Sequence, residues 1–193
     1  MPACLGGGRR ADWQGNPWGV RAWRRLSGGA AVAALAFGMA RGAGLRVNVT
    51  PSVAAGIYRM APAELTRGTL VLACLPARVA AVARDRRYVS RGGRCAAGLV
   101  PIGKRILAIS GDTVRVTLNG LIVNGVAVPR SQPLTRDSRG QPLPSLVGNA
   151  YTLGPDEVWL FGDHSPLSFD SRYFGPVHAR DLRGGLRPLW VLS

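Results

Sequence analysis

The sequence predicts a mainly β, antiparallel domain with one short helical insert, preceded by an N-terminal transmembrane or signal helix. Three observations carry that expectation. Thr113–Val128 reads TVRVTLNGLIVNGVAV, with apolar residues alternating around Asn119-Gly120 and Asn124-Gly125. Asn-Gly between alternating runs is the strongest short-range hairpin signal. The short apolar runs Thr69–Ala73 and Ile106–Ile109 read as strands, as do Glu157–Phe161 and Arg187–Leu192. Finally, Leu26–Ala40, LSGGAAVAALAFGMA, carries no charge and follows an arginine-rich start.

Taken in order, residues 1–25 hold Arg9, Arg10, Arg21, Arg24 and Arg25 against a single Asp12, a basic cytoplasmic start. Residues 26–45 form the membrane anchor or signal segment. The uncharged stretch is shorter than the roughly 20 residues of a comfortable span, but Gly42–Leu45 extends it if Arg41 snorkels. The preceding arginines hold the N-terminus inside. A cleavable signal has the same layout, and the uncleaved anchor is the preferred reading. A buried Ala/Gly-rich core helix is the alternative that those arginines disfavour. Residues 46–193 are then an exported domain.

Export decides how the cysteines read. Cys74 and Cys95 can pair in an oxidising compartment, and the loop they close contributes about 3 kcal/mol in the chain-entropy account. Cys4 lies on the reducing side. Inside that loop Pro76 stands where a helix can begin, and ARVAAVARDRRY reads as a short helix with Val79, Val82 and Ala83 on one face. Residues 129–149, rich in Pro, Ser, Gln and Arg, read as a surface excursion or small flap.

A chain of 193 residues holds one domain and an appendage. A net charge of +15 and a pI near 11.5 would attract anionic lipid, nucleic acid or acidic protein. The arginines are spread from Arg9 to Arg187 with no nucleic-acid-binding motif beside them, so nucleic acid is not the expected partner. No CxxC pair, HExxH or Walker motif is present, and His164 and His178 lack ligand spacing. Neither metal nor cofactor is expected.

The chemistry centres on Lys104, the single lysine among 25 basic residues. A guanidinium stays charged in proteins, whereas a lysine becomes a neutral amine when buried. The following Ile106, Leu107 and Ile109 offer an apolar setting. A fall of about 3 units from the free value, at a cost of about 4 kcal/mol, would make Lys104 a general base. A serine hydroxyl needs such a base to become a nucleophile, and Ser52 sits in a polar stretch just after the membrane segment. Were His164 the base instead, Lys104 would be dispensable.

Three blocks in this order resemble the bacterial signal-peptidase family with a serine–lysine dyad. They are Ser52-Val-Ala-Ala-Gly56-Ile-Tyr58-Arg59, Lys104-Arg105 with Gly111-Asp112-Thr113-Val114, and Gly162-Asp163 with Ser168-Phe-Asp170-Ser171-Arg172-Tyr173-Phe174-Gly175. With the anchor, the resemblance covers most of residues 26–193. The short length, the cysteine-flanked insert and the SFDSRYFGPV ending are most similar to the TraF branch, the peptidases of conjugative plasmid transfer.

The resemblance implies Ser52 as nucleophile and Lys104 as base. It implies an oxyanion hole from the Ser52 N–H and the Thr50 hydroxyl, with Asp170 acting at Lys104 and Asp163 and Arg172 in support. A salt bridge of Asp170 with Arg172 is the purely structural alternative. Ala54, Ser110 and His164 depart from the family pattern at positions that bear on substrate fit more than on the dyad. The implied activity is processing of a propilin at the periplasmic face of the inner membrane, with or without ring closure, in contact with a conjugative transfer apparatus. Two alternatives remain: a general signal peptidase acting on signal-peptide-bearing proteins, and a non-catalytic basic scaffold.

Overall fold

A computed structural model describes residues 42–48 and 52–192, with Leu35, Gly38 and Met39 before them. The chain divides into two compact units, Met1–Gly42 and Ala43–Ser193. Residues 1–25, Cys4, Thr50 and most of 26–45 lie outside the described residues. Among the described residues no helix is long and apolar enough to cross a membrane.

The second unit is built from antiparallel strands in two sheets. The strands are β1 Leu45–Asn48, β2 Gly56–Ala61, β3 Leu70–Ala73, β4 Ile102–Ala108, β5 Thr113–Thr117, β6 Gly120–Val123, β7 Val126–Ala127, β8 Ala150–Thr152, β9 Glu157–Phe161, β10 Val177–His178 and β11 Leu182–Val191. The larger sheet has the order β1-β2-β11-β3-β4-β9-β10, and the smaller β7-β6-β5-β8. Both hairpins form where the Asn-Gly pattern predicts them: Leu118-Asn119 turns β5 into β6, with Gly120 already paired to Thr117, and Asn124-Gly125 turns β6 into β7. β9 is apolar and buried from Val158 to Phe161 because both its faces are covered there. Val158 and Leu160 join one core cluster, and Trp159 and Phe161 another.

The expected strand at Ile106–Ile109 starts earlier, at Ile102. Gly103 and Lys104 interrupt the apolar run, yet Lys104 takes a core-facing place in line with Ile106 while Arg105 faces out; a register shift between Ile106 and Ala108 then turns Ala108 to the other core cluster. β11 likewise starts at Leu182, because pairing with β3 and β2 overrides Arg183, Gly184 and Gly185. Pro188 is accommodated by the register shift between Pro188 and Trp190. β1 and β2 carry no clear pattern of their own and exist through pairing with each other and β11.

Cys74 and Cys95 form a disulfide. Between them, helix α1 spans Ala77–Asp85 after Pro76. Its buried face is Ala80 and Ala83 with Val79 packed alongside, and Val82 is exposed. The expected grouping of Val82 with Val79 and Ala83 is therefore corrected. At about 100° per residue, Val82 lies roughly 100° from the centre of the Val79-Ala80-Ala83 stripe. A second helix, α2, covers only Ser171–Phe174, and all four residues are buried.

Residues 129–149 contain no strand beyond the single bridge Arg136–Pro142. The start of this segment is tied down. The hydroxyl of the fully buried Ser131 donates to Val128 O (2.6 Å) and accepts from Leu121 N–H (2.8 Å).

Candidate active site

Ser52 lies in the turn between β1 and β2, half-buried. The turn is well anchored. Asn48 Nδ2 donates to the carbonyls of Val53 (2.9 Å) and Ala54 (3.2 Å), Tyr58 Oη donates to Ala54 O (2.6 Å), and Leu192 N–H donates to Ala55 O (2.8 Å). Val53 is buried in a cluster with Tyr58, Leu70 and Leu186. Its Cγ2 stands 3.6 Å from where a Cβ on Gly103 would lie. The residue after Ser52 thus packs on the residue before Lys104. Among the described residues no hydrogen bond joins the Ser52 hydroxyl to the Lys104 amine.

Lys104 is 3% exposed in the middle of β4, opposite Val71 of β3. Burial lowers its pKa to about 8, against a smaller upward pull from Asp170, with Arg172 lowering it further. No carboxylate lies within ion-pair distance of it among the described residues. At neutral pH a minority of molecules therefore carry the free amine, and that fraction grows as pH rises through 8.

On the other side of β4, Arg105 pairs with Phe161, which brings Gly162 level with Lys104. A Cβ on Gly162 would sit 1.9 Å from Ser168 Oγ, 2.6 Å from Ser168 Cβ and 3.4 Å from Lys104 Nζ. Glycine is required there because the Ser168 side chain fills the place a side chain would take. Ser168 is 2% exposed, and its Oγ has no hydrogen-bond partner among the described residues. In the sequence Ser168 is one residue of the third block with nothing to single it out. No spacing marks it; only the meeting of Gly162 with Lys104 across β4 and β9 brings it to the amine.

Asp170 pairs with Arg172. Its Oδ1 accepts from the N–H and Nε of Arg172 (3.2 and 2.8 Å), and its Oδ2 from Gly162 N–H (3.0 Å) and Arg172 Nη2 (2.9 Å). All four acceptor positions of the carboxylate are filled. It influences Lys104 by charge and holds Gly162, and it has no free lone pair for proton transfer. Of the two roles the sequence leaves open for Asp170, the hydrogen bonds to Arg172 and Gly162 favour that of a positioning residue.

Arg172, 1% exposed, completes the pair. Its Nη1 donates to Gln132 O (3.0 Å) and its Nη2 also to Ser168 O (3.1 Å), while its guanidinium lies 5.0 Å from the Phe161 ring and 5.5 Å from the Tyr173 ring. Asp163 forms an exposed pair with Arg105 (3.1 Å), which alternates with Lys104 and so faces away from it. His164 is exposed.

A cavity of about 310 Å³ opens beside the Ser52 turn, between Ala54, Tyr58, Leu70, Leu186 and Pro188. The Glu64–Arg187 pair (3.1 Å) stands at this cavity. Among the described residues no group of acidic, histidine or cysteine side chains could hold a metal ion.

Over residues 21–190 the sequence matches the family described as signal peptidase, peptidase S26. It is 41% identical over 165 residues to a plasmid transfer protein TraF of Escherichia coli, which spans 85% of this chain and 91% of that protein. It is 34% identical over 174 residues to a conjugal transfer protein TraF of Agrobacterium tumefaciens, covering 89% and 96% respectively. A crystal structure of a signal peptidase I from Enterococcus faecalis aligns with 69% of this chain and 100% of its own, at 18% identity and a TM-score of 0.37. With most of its length matched and the three blocks brought together on one antiparallel scaffold, the chain belongs to the signal peptidase family, peptidase S26.

Proposed function

We propose that the chain is a membrane-associated serine endopeptidase in which Ser52 is the nucleophile and Lys104 the general base, and that its substrate is the propilin of a conjugative transfer apparatus. One observation carries the reading. A lysine occupies a core position of β4, 3% exposed, with no carboxylate within ion-pair distance among the described residues. Such a residue costs stability and returns none, which is the signature of a group kept for its chemistry.

In this reading the neutral amine of Lys104 takes the proton of the Ser52 hydroxyl as its oxygen attacks the scissile carbonyl. The Ser52 N–H and the Thr50 hydroxyl are the proposed donors to the tetrahedral oxyanion. Collapse breaks the C–N bond, and Lys104 returns the proton to the leaving amine. The acyl group on Ser52 then passes to water, giving a trimmed chain, or to the substrate's own N-terminal amine, giving a ring. The Ser52–Lys104 hydrogen bond forms with substrate in place, since such bonds are often long in a free enzyme. The names of the relatives, plasmid and conjugal transfer proteins, support the substrate class. The apolar segment 26–45 would hold the domain at the periplasmic face of the inner membrane.

The test is mass spectrometry of pilin from cells carrying wild type, Ser52→Ala or Lys104→Arg. Both variants should leave the precursor uncut. In wild type, a product lighter by one water than the linear trimmed peptide identifies cyclisation. Normal cleavage by Lys104→Arg would remove the lysine as base, and normal cleavage and transfer by both variants would leave a scaffold. Cleavage of unrelated signal-bearing proteins, but not propilin, would make it a general signal peptidase.

A further inference from the structure

Three consecutive residues of the third block face different neighbours. Ser168 meets Gly162 beside Lys104. Asp170 closes on Arg172 and Gly162. Phe169, between them, enters an aromatic cluster. Its ring centroid is 4.9 Å from that of Tyr88, 5.7 Å from Tyr173 in a stacked pair and 5.5 Å from Phe174 edge-on. The Tyr173 hydroxyl is itself held by Leu134 N–H (3.0 Å).

Tyr88 does not belong to the third block. It lies in the insert closed by Cys74 and Cys95. Its N–H donates to Ala83 O (2.9 Å), its hydroxyl donates to Asp137 Oδ2 (2.7 Å), and the next residue, Val89, is buried in the same cluster as both cysteines. Ser168, in contrast, is hydrogen-bonded among the described residues only through its backbone: its N–H donates to Ser165 O (3.1 Å) and its carbonyl accepts from Arg172 Nη2 (3.1 Å). Where its hydroxyl points depends on how firmly its neighbours are packed.

We infer that Phe169, clamped by Tyr88 of the disulfide-closed insert, is a positioning residue that sets Ser168 against Lys104, so that the insert braces the catalytic amine from a distance. The inference rests on the Ser52/Lys104 reading for its kinetic consequence only. Removing the ring loosens Ser168 and lets water reach the amine, and solvation favours its charged form. The charged groups that face Lys104, Asp170 favouring the ammonium and Arg172 opposing it, come from the same block and remain in place.

Lys104 is the only lysine in the chain. The pH dependence of its labelling by an amine-reactive reagent, followed by peptide mass spectrometry of the full-length protein, therefore reads its protonation without any activity assay. Wild type should show a midpoint near 8. Phe169→Ala should raise it by about one unit, and Phe169→Tyr, which keeps the ring, should restore it. On propilin, the acid limb of the pH profile of Phe169→Ala should move upward with the labelling midpoint. Its kcat should fall about tenfold with KM unchanged. A folded Phe169→Ala with the wild-type midpoint overturns the inference. If that variant does not fold by near-ultraviolet circular dichroism, Tyr88→Leu carries the same prediction, and an unchanged midpoint there overturns it. A shifted midpoint together with normal cleavage by Lys104→Arg would keep the brace and sink the dyad.

Discussion

Two buried cations lie in neighbouring positions of this molecule and are treated in opposite ways. Arg172 is surrounded by acceptors: both oxygens of Asp170, the carbonyls of Ser168 and Gln132, and two aromatic faces. Lys104 is nearly as buried and has no ion-pair partner among the described residues. A guanidinium cannot shed its proton, so the fold must satisfy it. An ammonium can, so the fold can leave it unsatisfied and lower its pKa to about 8. The first arrangement holds the third block together. The second is the kind of site that chemistry requires.

The contrast can be broken most strongly at the satisfied end. Asp170→Ala leaves Arg172 buried without its counter-charge and should destabilise the fold by about 3–5 kcal/mol in urea unfolding. Replacing both partners, Asp170→Leu with Arg172→Met, should recover much of that loss. A double variant as unstable as Asp170→Ala would mean that the individual hydrogen bonds, not the unpaired charge, set the cost.

The unsatisfied end should respond in the other direction. Lys104→Met should abolish cleavage yet stabilise the folded chain at pH 7 by up to about 3 kcal/mol. The sign follows from the lowered pKa. Below pH 8 the folded state must hold the ammonium in an apolar place, and the penalty is present in full. Between about 8 and 10.4 the folded state is neutral while the unfolded chain is still protonated, so wild-type stability rises with pH. The advantage of Lys104→Met should shrink across that window. A difference that is flat from pH 7 to pH 10.5 would mean that the lysine is not desolvated as described.

A smaller effect sharpens the geometry between the two. Gly162→Ala drives a methyl into Ser168, and should cost about 1–3 kcal/mol in thermal or urea unfolding. It should also lower activity more than stability explains, because Ser168 must move from beside Lys104. The smallest expected effect lies at the edge of the block containing Lys104. Asp112 is held down to about 2, chiefly by its hydrogen bond to Arg67. Its contribution is present above about pH 4 and is lost as pH falls through 2. Asp112→Asn should therefore flatten the acid end of the stability profile and leave the alkaline rise from Lys104 untouched.

Much of this was legible in residues. The two Asn-Gly hairpins, the Glu157–Phe161 strand and the cysteine-closed helix each follow from a local pattern. Lys104 stood out because every other basic side chain is arginine. Other features were not legible. β1 and β2 have no pattern apart from their pairing, and Val82 looked like a core residue until the fold buried the stripe centred between Ala80 and Ala83, away from it. Ser168 looked like any loop serine, and the sequence left open whether Asp170 acts at Lys104 or pairs with Arg172; the fold sets four donors around its carboxylate.

By itself the sequence determined which groups could do chemistry: a side chain able to lose its proton, a hydroxyl to activate, and an acid and a guanidinium close enough in sequence to pair. Those properties are covalent or local and survive in the unfolded chain. Only the tertiary structure decided how each would be used. It placed Lys104 in a core position where burial lowers its pKa, closed Asp170 on Arg172, and set Ser168 against Gly162 level with the amine. Desolvation and hydrogen-bond saturation depend on what strands distant in sequence bring together, and no single stretch of the chain encodes them.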